Sequence, residues 1–251
     1  MPLYGTLDVK ARAADAPRLA ALDAPEWQLP GAEVLHLLFE TEDAGNLALL
    51  PPALHPTIPP TCHLVVIRAP ESPAGAFVLA QLRVGCRAGA FQRGFVTRAF
   101  CDSARAAAAL CSAFGFDARA ADVRLVRRHD EVSARVTEGG RAILACSLGD
   151  PVAIGPDDVR YVDALNLAWV PRGGESVLRL VQVDARQRIH TADRGRPRIA
   201  SFDAPAWAAS GLVPDYGVSA SFCSADLVLP RIRFLVDPEK PAFRGTEKLG
   251  A

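Results

Sequence analysis

Lysine is almost missing from this 251-residue sequence, in which lysine and arginine together number 28. It occurs only as Lys10, Lys240 and Lys248, so arginine supplies nearly all of the positive charge. From residue 11 to residue 239 the chain therefore has no lysine amine that could attack a carbonyl group. Chemistry that proceeds through a lysine imine is not expected in that stretch.

The sequence also lacks an excess of charge and long apolar runs. Its 28 acidic residues balance the basic ones, which argues against a nucleic-acid partner because phosphate contacts need clustered, unpaired cations. No stretch has the roughly 18 consecutive apolar residues of a membrane span, and the first residues lack the pattern of a secretory signal. We therefore expect a cytoplasmic protein that contacts neither nucleic acid nor a membrane.

Familiar catalytic and cofactor motifs are absent as well. The sequence has no GxSxG, HExxH, GxxxxGK[ST] or GxGxxG motif. Its six cysteines are widely spaced without a CxxC pair, and its five histidines are dispersed, so neither predicts a metal site. We expect no metal and no cofactor, and we expect the cysteines to be small buried side chains.

The pattern that the sequence does contain is that of one mainly β (α+β) domain. Half of the residues are hydrophobic and 22% are charged, which is ordinary for a globular protein with a single large core. Short apolar runs alternate with turn residues, as in a large antiparallel sheet or barrel. Strands are predicted at residues 34–39, 63–68, 76–84, 95–101, 122–127, 131–137, 141–148, 164–171, 177–183, 187–191, 197–201 and 227–236. Helices are predicted at 42–50 and 103–113, and residues 1–30 are expected to form an arm or a short helix that ends near Pro30.

Four short stretches occur in an order that is typical of one known family. They are LLPPAL at 49–54, FCDS at 100–103 leading to GFDAR at 115–119, LAWVP at 167–171, and ADLVLPRIRFLVD at 225–237. These stretches resemble, in order, a helix-ending proline motif, the catalytic lysine region, a strand and turn, and the terminal strand of the acetoacetate decarboxylase family. By this resemblance residues 32–237 are identified as a divergent member of that superfamily.

The resemblance implies a fold and an assembly. The family has a closed, cone-like antiparallel β-barrel with a few peripheral helices, a pocket inside the barrel, and a habit of forming homo-oligomers. For this chain it implies an N-terminal arm at 1–31, a barrel domain at 32–237 and a C-terminal tail at 238–251.

The catalytic motif of the family is changed in this chain. The resemblance places Ala118 where the family has its Schiff-base lysine and Arg119 where the second, activating lysine stands, the activation for which this family is a standard example. Phe116 keeps the aromatic residue of the motif, and Asp117 replaces its proline. Because the methyl group of Ala118 cannot attack a carbonyl, the resemblance implies that Schiff-base chemistry is lost.

The implied pocket has lost charge elsewhere too. Ala32 falls at the substrate-binding arginine of the family, and Leu64 and Leu79 fall near its two pocket glutamates, to within one or two positions. An apolar pocket suits a hydrophobic ligand held by buried area and a few polar groups. The candidate substrate-binding residues are Phe116, Ala118, Gln81, Leu79, Leu64, Arg98 and His36, and the candidate catalytic residues are Arg119 and Asp117.

Arg119 is the first candidate for catalysis because it is adjacent to the old catalytic position and keeps its charge. Its guanidinium could stabilise a developing enolate or carboxylate oxyanion. The structural alternative is an ion pair between Arg119 and Asp117 at the barrel wall.

Three functions fit these observations. The first is a lysine-independent cyclase, pericyclase or isomerase of natural product biosynthesis that holds a hydrophobic, polyketide-like intermediate in a reactive shape. The second is a noncatalytic small-molecule-binding or accessory protein that has kept the fold. The third is a decarboxylase or other lyase that acts on a β-keto acid without a Schiff base.

Overall fold

The computed structural model describes residues 3–250, which form four short helices and fifteen strands. The helices are α1 (Val9–Ala13), α2 (Asp43–Leu49), α3 (Ala104–Phe114) and α4 (Ala242–Gly245). The strands are β1 (Trp27–Thr41), β2 (His55–Pro56), β3 (Thr61–Ala69), β4 (Phe77–Ala88), β5 (Phe91–Cys101), β6 (Ala118–Ala120), β7 (Asp122–Arg127), β8 (Glu131–Glu138), β9 (Arg141–Ile154), β10 (Asp163–Arg172), β11 (Glu175–Val183), β12 (Arg186–Phe202), β13 (Pro214–Leu229), β14 (Phe234–Val236) and β15 (Thr246–Lys248).

All fifteen strands belong to one mixed sheet. Its hydrogen-bonded order is β15-β14-β11-β10-β5-β4-β3-β1-β13-β12-β9-β8-β7, with β2 beside β4 and β6 beside β5. Most neighbours are antiparallel, but β5 pairs in parallel with both β6 and β10. The mainly β class is therefore confirmed. The prediction of a purely antiparallel sheet is wrong, and closure is not confirmed because the order runs from one edge strand to another.

Most predicted strands are present, and three regions differ. Strands β12 and β13 are long, with 17 and 16 residues, whereas the sequence predicts two short strands in the first and only the end of the second. The arm proposed at 1–31 already contains the start of β1, and the tail proposed at 238–251 contributes α4 and β15. Strand β15 pairs with β14, so this tail is part of the sheet.

The two faces of the central strands bury different sets of apolar residues. On β3 and β4 the side chains alternate, so that Val65 and Leu79 lie on one face while Leu64 and Leu82 lie on the other. We call the residues around Val65, Leu79 and Phe116 the inner cluster, and those around Leu64 and Leu82 the outer cluster. The inner cluster also contains residues of β1, β13 and α3, and it surrounds an apolar cavity.

Helix α3 leads the chain into the inner cluster. The Ser103 side chain caps its N-terminus by accepting a hydrogen bond from the Ala106 amide. Gly115 ends the helix with a φ of 70°, a conformation that favours glycine, and a Cβ there would lie 2.7 Å from that of Ala168. This tight turn directs Phe116 into the inner cluster.

Two further sequence expectations concern cysteines and membrane spans. All six cysteines are free, and every one except the half-buried Cys111 is buried, as expected for small apolar side chains. None of the helices within residues 3–250 is long and apolar enough to cross a membrane.

Candidate functional site

The cavity within the inner cluster is apolar, and we call it the main cavity because it is the candidate ligand site, although more open clefts elsewhere on the protein are larger. The volume of the main cavity is about 70 Å³, which is room for two or three water molecules at roughly 30 Å³ each. Its apolar walls are formed by Leu29, Val34, Val65, Ile67, Phe77, Leu79, Leu110, Phe116, Leu227 and Leu229. Its polar lining includes Gln81, Arg83, Tyr161 and Asp163. The cavity thus has mostly apolar walls with a few polar groups, a composition that is typical of small-molecule sites.

Arg83 carries a buried positive charge into this cavity. Its Nε donates to Gln81 Oε1 at 2.8 Å, and its Nη1 donates to the Val162 carbonyl at 2.6 Å. Burial lowers the pKa of Arg83 to about 10, an effect that the charge of Asp163 opposes. The guanidinium therefore stays protonated at neutral pH. No carboxylate of residues 3–250 lies within 4.0 Å of it, and Nη2 has no hydrogen-bond partner there.

Asp163 places a carboxylate on the wall of the same cavity. Its Oδ2 accepts from Arg93 Nη1 at 2.7 Å, and Arg93 also holds Asp184 at 3.1 Å. Burial raises the pKa of Asp163, while Arg93 acts in the opposite direction. Arg83 and Asp163 thus place a cation and an anion on one cavity wall without a direct ion pair between them.

A second, more polar cavity lies beyond residues 161–163, which line both spaces. His36 and His63 lie side by side in its wall, with His36 Nε2 and His63 Nδ1 2.9 Å apart. Burial and the charge of Arg83 lower the pKa of His36 to about 3 and hold the pKa of His63 well below its usual value. Both imidazoles are therefore neutral, and the hydrogen-bonded pair adds no charge to the cavity wall.

Three of the predicted substrate-binding residues meet in the main cavity. Phe116, Leu79 and Gln81 all line it. Ala118 lies two residues beyond Phe116, pairs with Ala99 of β5, and packs against the inner cluster. The position at which the family resemblance places the missing lysine is thus beside the cavity wall.

The other predicted substrate-binding residues lie elsewhere. Leu64 faces the outer cluster, and its neighbour Val65 lines the cavity instead. His36 borders the polar cavity. Arg98 points away from the main cavity, with Nε 3.2 Å from Asp117 Oδ2 and Nη1 donating to the Ala206 carbonyl at 2.9 Å.

The predicted catalytic pair belongs to an ion-pair cluster outside the main cavity. Asp117 contacts Arg98, Arg12 at 3.4 Å and Arg119 at 3.7 Å. Arg12, from the N-terminal arm, also donates to the Thr97 carbonyl. The Arg119 side chain is 42% exposed, and neither Arg119 nor Asp117 lines the main cavity. The structure thus contains the ion pair that the sequence analysis gives as its structural alternative.

Sequence reasoning missed Arg83, Tyr161 and Asp163 as site residues. The sequence could have indicated Arg83, because Leu79, Gln81 and Arg83 are every second residue of one strand and therefore share a face. Tyr161 and Asp163 follow the single 3₁₀ turn Pro156–Asp158 and have no comparable pattern. Within the described residues no group of three or more His, Cys, Asp or Glu side chains is arranged to hold a metal ion.

Comparison with known proteins shows which fold this chain has. No protein-family model matches the chain, and no curated protein matches it. Among solved structures, it is similar to an acetoacetate decarboxylase from Legionella pneumophila subsp. pneumophila str. Philadelphia 1. That pair has a TM-score of 0.75 and 21% identity over 85% of this chain and 88% of the other.

Two further similar structures come from other enzymes. One is the enduracididine biosynthesis enzyme MppR, complexed with the condensation product of pyruvate and imidazole 4-carboxaldehyde (TM-score 0.67, 14% identity, 86% of this chain and 96% of the other). The other is an acetoacetate decarboxylase-like enzyme from Sphingomonas wittichii RW1 (TM-score 0.64, 19% identity, 84% and 92%). The chain therefore has the fold of the acetoacetate decarboxylase-like superfamily.

Proposed function

We propose that this protein is a lysine-independent isomerase that binds a small, apolar oxo acid in the main cavity and forms its enolate there. The proposal rests chiefly on one observation, the buried guanidinium of Arg83 with no carboxylate within 4.0 Å among the described residues. A buried charge without a counter-ion costs free energy. A ligand that brings an oxyanion to Arg83 Nη2 removes that cost.

The volume of the cavity supports a small substrate. About 70 Å³ corresponds to only two or three water molecules at roughly 30 Å³ each, so the cavity favours small substrates. An oxo acid of four or five carbon atoms, with seven or eight non-hydrogen atoms, is far closer to this size than a polyketide-like intermediate is. The walls of Leu, Val, Ile and Phe side chains suit its alkyl part.

The polar groups supply both halves of an enolate reaction. Asp163 would take the proton from the carbon next to the carbonyl, and the electron pair of that C–H bond would move onto the carbonyl oxygen. Arg83 Nη2 would donate a hydrogen bond to the resulting oxyanion. Return of the proton from Asp163 to the enolate oxygen gives the enol isomer, and this step needs no co-reactant.

This route agrees with the loss of the lysine. Ala118 has no amine, and the similar structures include the enzyme MppR in complex with pyruvate, which is an oxo acid. We carry over only the class of ligand from these neighbours. The chemistry proposed for this chain uses Arg83 and Asp163.

A noncatalytic binding protein is the second candidate. It is favoured by the ion pair of Asp163 with Arg93, since a carboxylate already held by a cation at 2.7 Å is a weaker base. The two functions differ in whether a bound oxo acid loses its proton, which can be measured directly.

The test is deuterium exchange in heavy water, followed by proton NMR, on saturated 2-oxo and 3-oxo acids of four or five carbon atoms. We expect wild-type protein to accelerate loss of the signal from the protons next to the carbonyl. Arg83→Gln and Asp163→Asn should each slow this exchange at least tenfold. Arg87→Gln is the matched control, because Arg87 is an exposed arginine on the same strand.

The outcomes of this test distinguish the isomerase from the binding protein. Binding of the acid without exchange would replace the isomerase by the binding protein. Absence of binding, or exchange that survives Arg83→Gln, would refute the proposed site.

A further inference from the structure

The second cavity is polar, open to solvent and separate from the proposed isomerase site. Its volume is about 460 Å³. We call it the polar cleft and define it by Arg160, Arg194, Ser219, His36 and His63, which line it. Residues 161–163 separate it from the main cavity.

Two arginines face the polar cleft from different elements. Arg194 belongs to β12, and Arg160 belongs to the segment between β9 and β10. Neither forms an ion pair with any carboxylate of the described residues. The hydrogen bond found for the Arg160 side chain is a 3.4 Å contact from Nη1 to the carbonyl of its neighbour Val159.

The carboxylates that line the polar cleft form no ion pair with these arginines. Asp163 is held by Arg93. Asp158 accepts a hydrogen bond from the Gly155 amide at 3.2 Å, within its own turn. The two guanidinium groups therefore face the cleft without an ion pair of their own.

The wall behind the arginines is polar but uncharged. His36 and His63 are deeply buried, and only one proton can lie in the 2.9 Å contact between their nitrogens. His63 Nε2 is buried and has no hydrogen-bond partner within residues 3–250. Ser219 on β13 adds a hydroxyl group on the same wall. The Ser219 hydroxyl can donate a hydrogen bond to an anion, and the neutral imidazoles add no charge to the cleft.

From this arrangement we infer that the polar cleft is an anion-binding site, in which Arg160 and Arg194 hold the oxygen atoms of a phosphate or carboxylate group. Guanidinium groups bind both anions through paired N–H donors. Because two cations face one site, a doubly charged phosphate is expected to bind more tightly than a singly charged carboxylate. The inference goes beyond the proposed isomerase and does not depend on it.

The test is a titration of the full chain with inorganic phosphate and, separately, with acetate at constant ionic strength, followed by isothermal titration calorimetry or NMR. We expect Arg194→Ala and Arg160→Ala each to weaken phosphate binding at least tenfold. Arg196→Ala is the matched control, because Arg196 is an exposed arginine two residues along β12 that does not line the cleft. It should change the affinity less than twofold.

The outcomes separate the possibilities. Tighter phosphate than acetate binding, lost in both variants, supports the site and assigns it to phosphate groups. If acetate binds as tightly and is lost in both variants, the site stands and its ligand is a carboxylate. Binding that is unaffected by both substitutions, or weakened equally by Arg196→Ala, would overturn the inference. So would the absence of any binding.

Discussion

Replacement of Arg83 by methionine separates a functional arginine from a structural one. Methionine keeps much of the length and apolar volume of the side chain and removes its charge. Burial lowers the pKa of Arg83 from 12.5 to about 10, and 2.5 units at 1.36 kcal/mol each correspond to about 3 kcal/mol of destabilisation by the buried charge. That destabilisation is present at every pH below about 10, where the folded protein holds the charge.

The substitution also removes two hydrogen bonds. These run to Gln81 Oε1 and to the Val162 carbonyl, and each is worth about 1.5 kcal/mol when the donor is charged. The loss of about 3 kcal/mol therefore offsets the gain. We expect Arg83→Met to change the free energy of unfolding by less than about 1 kcal/mol, while binding of an oxo acid is abolished.

Arg98→Met is the comparison. Arg98 is also buried, but it contacts Asp117 at 3.2 Å and the Ala206 carbonyl at 2.9 Å. Its loss leaves a largely buried carboxylate with fewer partners, for which we expect a cost of about 3 kcal/mol. Urea unfolding followed by circular dichroism measures both free energies. If Arg83→Met destabilises the protein as much as Arg98→Met does, Arg83 is a structural residue and our reasoning about the cavity fails.

Three further predictions follow from the same contacts. Sodium borohydride with an oxo acid should leave no reduced adduct on the wild-type protein but should leave one on Ala118→Lys, as mass spectrometry can show; an adduct on the wild type would contradict the loss of imine chemistry. Arg119→Ala should slow deuterium exchange less than twofold because Arg119 lies outside the main cavity, and a tenfold slowing would restore the catalytic role expected from the sequence. Because His36 and His63 are neutral in the folded protein, the stability that they contribute is present above pH 6.5 and is lost as the pH falls toward 3. The free energy of unfolding should fall by up to about 1.4 kcal/mol per pH unit for each histidine. Urea unfolding at pH 6 and pH 4.5 should show a smaller difference in this free energy for His36→Phe than for the wild type, and an equal difference would contradict the prediction.

The strands with strong alternation could be predicted from the sequence, and the strand with small side chains could not. Strand β7 is predicted at its observed bounds, because Val123 and Leu125 alternate with charged residues. The sequence does not predict most of strand β13, because the first half of this strand is rich in Gly, Ser and Ala. It pairs with β1 and β12, and these long-range hydrogen bonds replace the local propensity that its sequence lacks.

The candidate site could likewise be predicted only where local sequence, and not long-range strand pairing, decides which way a side chain points. Leu79, Gln81 and Arg83 share a face of one regular strand, so their common direction could be predicted. Arg98 could not be placed in this way, because the pairing of β4 with β5 shifts register between Leu82 and Arg83. A bulge of this kind ends the simple alternation of faces, and the side of the sheet that Arg98 occupies depends on the three-dimensional register.

The family resemblance predicts the fold but not the charged residue that lines the cavity. It places Ala118 beside the cavity wall, and it makes Arg119 a catalytic candidate because Arg119 follows Ala118 in the sequence. Adjacent residues on a strand point to opposite sides, so the neighbour of a residue that faces the cavity tends to face away from it. The cation that does line the cavity, Arg83, lies on another strand.

A crystal structure of the protein with a four- or five-carbon oxo acid tests the central claim most directly. We predict density for the acid in the main cavity, with an oxygen atom within about 3 Å of Arg83 Nη2 and the alkyl part against Leu79 and Phe116. An empty main cavity, or an acid bound at Arg119 instead, would contradict the account.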